Sequence, residues 1–487
     1  MPGGRYKPLG EHDLTRIHET ALDVLETIGM GDPIPETRER ALAAGCRLNE
    51  QGRLCFPRAL IEDIIARAPR RFTLHAPDPA FDHEIGGNHV YFLTAGEAVR
   101  MVDPQTGRYR PSTIADVYDT YRLADSLEHI HEVCQVVVAT EITDRYAHDM
   151  SVAYAALAGT RKTFGFSTGT AAHVDKAVAL FDLALGGEGK FLKRPFWLVG
   201  HCPIVSPLRF ATDTSQVAVR CAELGLVADM CTAPQAGATA PAALAGALVQ
   251  SVAETLGALA QIDLTRRGAK MMFGVWPFVS DLRTGAFSGG GGEQALLMAA
   301  SAQLQRFYGL PGSVAAGMTD AKQPDYQAGF EKGISIALAG LAGGDRIAEC
   351  AGMMSSLMGV SLESMVMDND LIGTVQRALR GIEVTDETLS FDVIRRVVDG
   401  PGHYLGQPQT LELMETEYLY PSVADRSSLA QWEAGGLSGA LDRARERVRD
   451  ILKTHYPSYI EATADEAIRR AFPIALPREA MHPTQEP

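Results

Sequence analysis

Seven residues stand where chemistry is most economical in this chain: Phe166, Ser167, His201, Asp229, Trp276, Asp320 and Glu349. Each falls at or near the end of a short apolar run, where a strand gives way to a polar turn. His201 has the type of an acid, a base or a metal ligand. Asp229 and Glu349 interrupt apolar runs, so each must face a ligand or a partner, because burying a carboxylate alone is costly. Trp276, one of three tryptophans, sits beside Phe278, and Phe166 ends a run of its own. Aromatic faces and carboxylates around one opening make a cage for an ammonium cation.

The elements that would position them follow from spacing. The runs are VCQVVV from Val133, TFGFST from Thr163, FWLVGH from Phe196, LVADMC from Leu226, MMFGVW from Met271, SVAAGM from Ser313, IAECAG from Ile347 and SMVMDN from Ser364. Most lie roughly 30–45 residues apart, with helical pattern between them, which is the period of βα units. Eight such units predict a (β/α)8 TIM barrel, whose active site lies at the C-terminal ends of its strands. The expected division is an N-terminal α+β region over 1–125, a barrel over 126–385 and a C-terminal helical region over 386–487. The tail is expected to pack on the barrel's outside or across a dimer, so a homo-oligomer is expected. Tyr91 and Phe92 fall in a hairpin ahead of the barrel on this reading. Asp368 and Asp370 end the eighth run, and one of them is expected to cap the helix that follows.

Composition narrows the function classes. The chain has 487 residues, 46% hydrophobic and 22% charged, with net charge −15. That is a soluble globular profile, and its acidity argues against nucleic acid as the main partner. Seven scattered cysteines without a CxxC pair, and no signal peptide, point to a reducing cytoplasm. No membrane span is expected; the apolar stretch over 240–262 carries Pro241, Gln250 and Glu254 and reads as a buried barrel helix. His201 and Cys202 are adjacent, but no second ligand stands at zinc spacing, so no metal site is expected. The tetraglycine at 289–292 precedes a helix. It lacks GxGxxG and GxxxxGK, which favours a flexible loop or close backbone contact with a large planar ligand over a phosphate cradle.

Several segments together carry a specific resemblance: AGMTDAKQPDYQAGFEKG at 316–333, LRTGAFSGGGGEQALL at 282–297, SLESMVMDNDLIG at 361–373, RGIEVTDETL at 380–389, GPGHYLGQPQTL and the hairpin TGRYRP. They resemble the trimethylamine–corrinoid methyltransferase family over nearly the whole chain. The resemblance implies a barrel that demethylates a methylamine and passes the methyl group to the cobalt of a separate corrinoid protein. No tightly bound cofactor is then expected; the corrinoid, a cobalamin, comes with the partner. Archaeal trimethylamine enzymes carry pyrrolysine, which this sequence lacks; Lys322 in MTDAKQPD is the candidate for that position. Relatives without pyrrolysine resemble quaternary-amine demethylases acting on substrates such as glycine betaine. The expected catalytic residues are therefore Lys322, His201 and Glu349, with Asp229, Trp276, Phe166, Asp320 and Tyr91 around the substrate. Lys322 or His201 would pair with the carboxylate of a betaine. The alternatives are direct transfer to tetrahydrofolate, which needs no corrinoid, and a non-catalytic betaine-binding or regulatory barrel, which binds without turnover.

Overall fold

The computed structural model describes residues 3–483. Eight parallel strands close into one barrel. In chain order they are β1 (Tyr91–Thr94), β2 (Glu132–Cys134), β3 (Thr163–Phe166), β4 (Trp197–His201), β5 (Ala228–Thr232), β6 (Met271–Val275), β7 (Gly312–Ala315) and β8 (Arg346–Ala351). Each is followed by a helix: α1 (Ile114–Asp125), α2 (Arg145–Gly159), α3 (Ala171–Ala184), α4 (Thr212–Leu224), α5 (Leu244–Thr265), α6 (Gly292–Tyr308), α7 (Tyr326–Ala342) and α8 (Leu362–Arg380). The (β/α)8 architecture expected from spacing is the one present.

Two strand assignments differ. SMVMDN is not the eighth strand but part of the first two turns of α8, opened by Ser361, whose hydroxyl accepts from the Ser364 amide. Met365, Val366, Asn369, Ile372 and Gly373 are buried at helical spacing. A short apolar run satisfies either period, and here the cap and the length of the pattern decide for helix. The missing strand is YFLT, expected as a hairpin ahead of the barrel. It pairs with β8 (Arg346 beside Tyr91) and with β2 (Leu93 beside Glu132), closing the barrel. The barrel thus begins at Tyr91, inside the region expected to precede it.

Side-chain caps start the helices where the sequence supplies them. Thr113 and Asp116 form a capping box on α1, and Asp144, Thr170 and Asp325 accept backbone amides at α2, α3 and α7. Helix α5 is buried over most of its length, and no helix among the described residues is long and apolar enough to cross a membrane.

An antiparallel hairpin, Phe72–Leu74 against His83–Ile85, plugs the bottom of the barrel. Phe72, Leu74 and Ile85 pack against Leu198, Val227 and Met272 near the strands' beginnings, with Tyr91 at the margin. At the other end of the chain, the helix Ala440–Thr454 lies on α8 and α1. Asp125 ties this region down: its buried carboxylate accepts from the Arg161 amide, Thr160 and the Tyr459 hydroxyl, and it pairs with His455. Burial opposes its charge, but these partners outweigh it and hold the group at about 2.

Candidate active site

Strand register decides which side chains enter the barrel. Arg346 on β8 reaches across to Glu132 on β2 and Asp229 on β5, so all three point inward. In-register neighbours share a face. The inward set therefore includes Cys134, Gly165, Gly200, Cys231, Gly274, Ser313, Ala315 and Ala348. Above the Arg346 layer the wall is glycine, alanine, serine and cysteine. Such small side chains leave the upper barrel hollow: Cys134, Gly200, Asp229 and Cys231 keep solvent contact although they line its interior.

The floor of that hollow is ionic. Arg346 Nε lies 2.9 Å from one Glu132 oxygen, Nη2 2.8 Å from the same oxygen, and Nη1 2.8 Å from Asp229. Burial works against the guanidinium charge, but Asp229 and Glu132 outweigh it and hold its pKa above the ordinary value. One cation faces two carboxylates, leaving a net negative floor.

The rim adds two glutamates, Glu349 from the end of β8 and Glu97 from the loop after β1. Both have left-handed backbones, φ 66° and 54°. Non-glycine residues avoid this region, and such strain is retained where it aims a side chain. The β8–β1 register shifts between Ile347 and Ala351, a bulge that turns Glu349 off the regular alternation. Glu349 Oε2 accepts from the Gly96 amide at 3.0 Å. Burial pushes its carboxyl up to about 8, the single amide pulls it down less, and the charge of Glu97 adds to the rise. Glu97 is open to the mouth yet walled by protein, and its pKa is raised by that desolvation, partly offset by hydrogen bonds from Ser167. Asp229 and Glu349 both act on the thiol of Cys231, so these acids share one mouth.

Of the residues expected at the site, the barrel brings together Asp229, Glu349, Trp276 and Ser167, the donor to Glu97. Trp276 continues the inward register past Gly274, and its indole Nε1 donates to the Ser313 carbonyl at 2.9 Å. The others are elsewhere. Phe166 faces outward, stacked on Trp197 at 4.6 Å and packed against Phe181 of α3. His201 shares that outward parity, beside Met230; its Nδ1 lies 2.7 Å from the Val199 carbonyl, and burial lowers it to about 4, which keeps it neutral. Tyr91 sits at the bottom, stacked on His83 at 4.3 Å. The expected cage of several aromatics is thus reduced to Trp276, and carboxylates dominate the mouth.

Asp320 and Lys322 lie in the loop after β7. Asp320 accepts from Ser288 Oγ at 2.7 Å, the Gly289 amide at 2.9 Å and Ser356 Oγ, so it staples three loops. Lys322 is exposed, and its ammonium turns back to the Asp320 carbonyl rather than into the mouth. The tetraglycine is explained by the same loops. Its close backbone approach includes one to a protein carboxylate: a Cβ on Gly290 would collide with Glu331 Oε2. Gly290→Ala is expected to cost about 1–3 kcal/mol and to loosen this loop, measured by denaturant unfolding and local proteolysis. A change under about 0.5 kcal/mol would contradict the close approach.

Sequence reasoning missed Glu97, Glu132 and Arg346. Glu97 is hidden because the strand before it, YFLT, reads from sequence as part of a hairpin. Arg346 and Glu132 sit at strand starts, where charge ordinarily signals solvent. No group of three or more His, Cys, Asp or Glu among the described residues is arranged to hold a metal ion.

Residues 2–477 match the trimethylamine methyltransferase (MTTB) family. The trimethylamine methyltransferase MttB of Methanosarcina barkeri is 33% identical over 459 residues, 92% of this chain and 91% of that one. The glycine betaine methyltransferase of Desulfitobacterium hafniense strain Y51 is 28% identical over 466 residues, 96% of each chain. Among solved structures, the monomethylamine methyltransferase MtmB of Methanosarcina barkeri is similar with a TM-score of 0.49 and 14% identity, over 92% of this chain and 95% of that one. On the strength of the match across nearly its whole length, this chain belongs to the trimethylamine methyltransferase family and is a methyltransferase.

Proposed function

We propose that this enzyme removes a methyl group from a betaine-like quaternary amine and passes it to the cobalt of a separate corrinoid protein. The observation that carries the reading is the acidic mouth: Glu97 and Glu349 at the rim, the Glu132–Asp229–Arg346 floor below, and one inward indole. A fixed cation suits such a wall, and a quaternary ammonium is a fixed cation. It leaves as a neutral tertiary amine, so it needs no activating adduct. Trimethylamine, as the free amine, would have to expel a dimethylamide and so must first be made electrophilic, and the chain has no pyrrolysine.

The bound corrinoid supplies the nucleophile; the chain supplies position and electrostatics. The small wall residues leave the mouth open to a large planar carrier while the rim holds the N–CH3 group in line and displaces water. During transfer, positive charge leaves nitrogen. Carboxylates that were fully ionised would favour the bound cation over the transition state and slow the step. Glu349, which titrates at about 8 in the absence of the cation, can shed its charge as the amine becomes neutral. Once the charge has gone, the carboxyl takes up a proton and its attraction for the amine ends.

A cation over an aromatic face gains about 0.5–2 kcal/mol. Trp276→Ala is therefore expected to weaken binding of the quaternary amine several-fold and of its demethylated product less, by calorimetric titration; equal losses would remove Trp276 from recognition. The acceptor is tested by turnover in three arms, with a reduced corrinoid protein, with tetrahydrofolate alone, and with neither. Methyl loss only in the first arm supports the proposal. Turnover with tetrahydrofolate alone would replace it, and binding without turnover in any arm would make the barrel a receptor.

A further inference from the structure

We propose that Cys202 and Cys231 are a paired oxidation site, forming a reversible disulfide across the wall of the barrel mouth. The register between β4 and β5 sets His201 beside Met230, so the next residues, Cys202 and Cys231, are neighbours on the inward face. Their sulfurs lie 3.1 Å apart. A disulfide needs about 2.05 Å, so closing by roughly 1 Å suffices. Paired strands run about 4.8 Å apart, inside the range of Cα separations that disulfides bridge.

Access singles out this pair. Cys202 is exposed and Cys231 half-buried, whereas Cys46, Cys55, Cys221 and Cys350 are buried. Cys134, half-buried on β2, lies two strands from β4 and three from β5. A peroxide would meet Cys202 first. Its sulfur is oxidised to a sulfenic acid as the peroxide O–O bond breaks and one water leaves. The Cys231 sulfur then attacks, the S–O bond breaks and a second water leaves, giving one disulfide from two thiols and one peroxide. The hydrogen bond with Cys202 and burial, with Asp229 and Glu349 adding to them, raise the Cys231 thiol, so the pair stays a dithiol until an oxidant arrives. The bond would tie the ends of β4 and β5 beside Asp229, stiffening and narrowing the wall that receives substrate.

The test treats the full-length folded protein with stoichiometric hydrogen peroxide, alkylates the remaining thiols after denaturation, and maps peptides. The expected product is a Cys202–Cys231 cross-link that a dithiol reductant reverses, with the four buried thiols alkylated. In Cys231→Ser the oxidation should stop on Cys202 alone, as sulfenic or sulfinic acid. Full alkylation of Cys231 in oxidised wild type, or a cross-link to Cys134 instead, would overturn the assignment. Mapping needs no turnover, so it stands apart from the substrate reading. On the quaternary-amine reading, glycine betaine binding by the oxidised protein should fall at least tenfold and recover on reduction, while Cys202→Ser is indifferent to peroxide. Unchanged binding with the cross-link in place would overturn the gating role.

Discussion

Glu349→Gln is expected to remove the steepest part of the pH dependence of substrate binding. In the wild type the carboxyl titrates at about 8. A quaternary cation favours the ionised form, so binding should release a proton below that pH. The dissociation constant should fall by up to tenfold per unit as pH rises toward 8, then level off. An ammonium within about 5 Å of the carboxylate gains on the order of 3 kcal/mol at an effective dielectric constant of about 20. The variant should therefore bind roughly 10–100-fold more weakly than wild type at pH 9 and much the same at pH 6. Stability gives an independent check. The folded group is raised above its unfolded value, so the native state holds the extra proton between about 4.5 and 8, and stability falls with pH through that window. Glu349→Gln lacks this loss and should gain stability relative to wild type, by about 2–4 kcal/mol, between pH 5 and pH 9. Parallel pH profiles for the two proteins, in binding and in denaturant unfolding, would show that Glu349 is not the titrating group.

Replacing Arg346 should have the largest effect on stability. Its guanidinium, 1% exposed, serves Glu132 with two nitrogens and Asp229 with a third. Arg346→Met leaves two carboxylates inside the barrel without a cation, at a cost of about 3–5 kcal/mol. Arg346→Lys should recover only part of this, because an ammonium cannot reproduce the fork. Combining Arg346→Met with Glu132→Gln and Asp229→Asn should restore much of the loss, since no charge is then stranded. Denaturant unfolding reads all three; a cost below about 1 kcal/mol for Arg346→Met would mean that the floor is not held as described.

The barrel was legible because its repeat is physical: each strand must be followed by a helix long enough to return, and seven of the runs kept that interval. The two ends of the repeat were not. YFLT is four residues long and follows four other short strands, so only closure against β8 distinguishes it from a hairpin. SMVMDN is apolar enough for either period, and only the Ser361 cap and the buried residues as far as Leu379 mark it as helix. Facing was the harder problem. Strands buried on both sides lose polar–apolar alternation, so Phe166 and His201 looked as available as Asp229. The polar residues inside the runs held the missing information. Glu132, Asp229 and Arg346 fix the inward parity of β2, β5 and β8. Through the register that parity passes to β3 and β4, where Phe166 and His201 fall on the other side. Lys322 rests on a motif and Asp320 on its place just after the SVAAGM run, and neither signal says that a loop folds back on itself.

The most direct measurement is single-turnover methyl transfer to a reduced corrinoid protein, followed by loss of the cobalt(I) absorbance. The panel holds glycine betaine and other betaines, carnitine, tetramethylammonium and trimethylamine. The acidic mouth and the absence of pyrrolysine predict a rapid phase with at least one quaternary amine and, with trimethylamine, a rate lower by 100-fold or more. Efficient transfer from trimethylamine, with no transfer from any quaternary amine, would contradict the account.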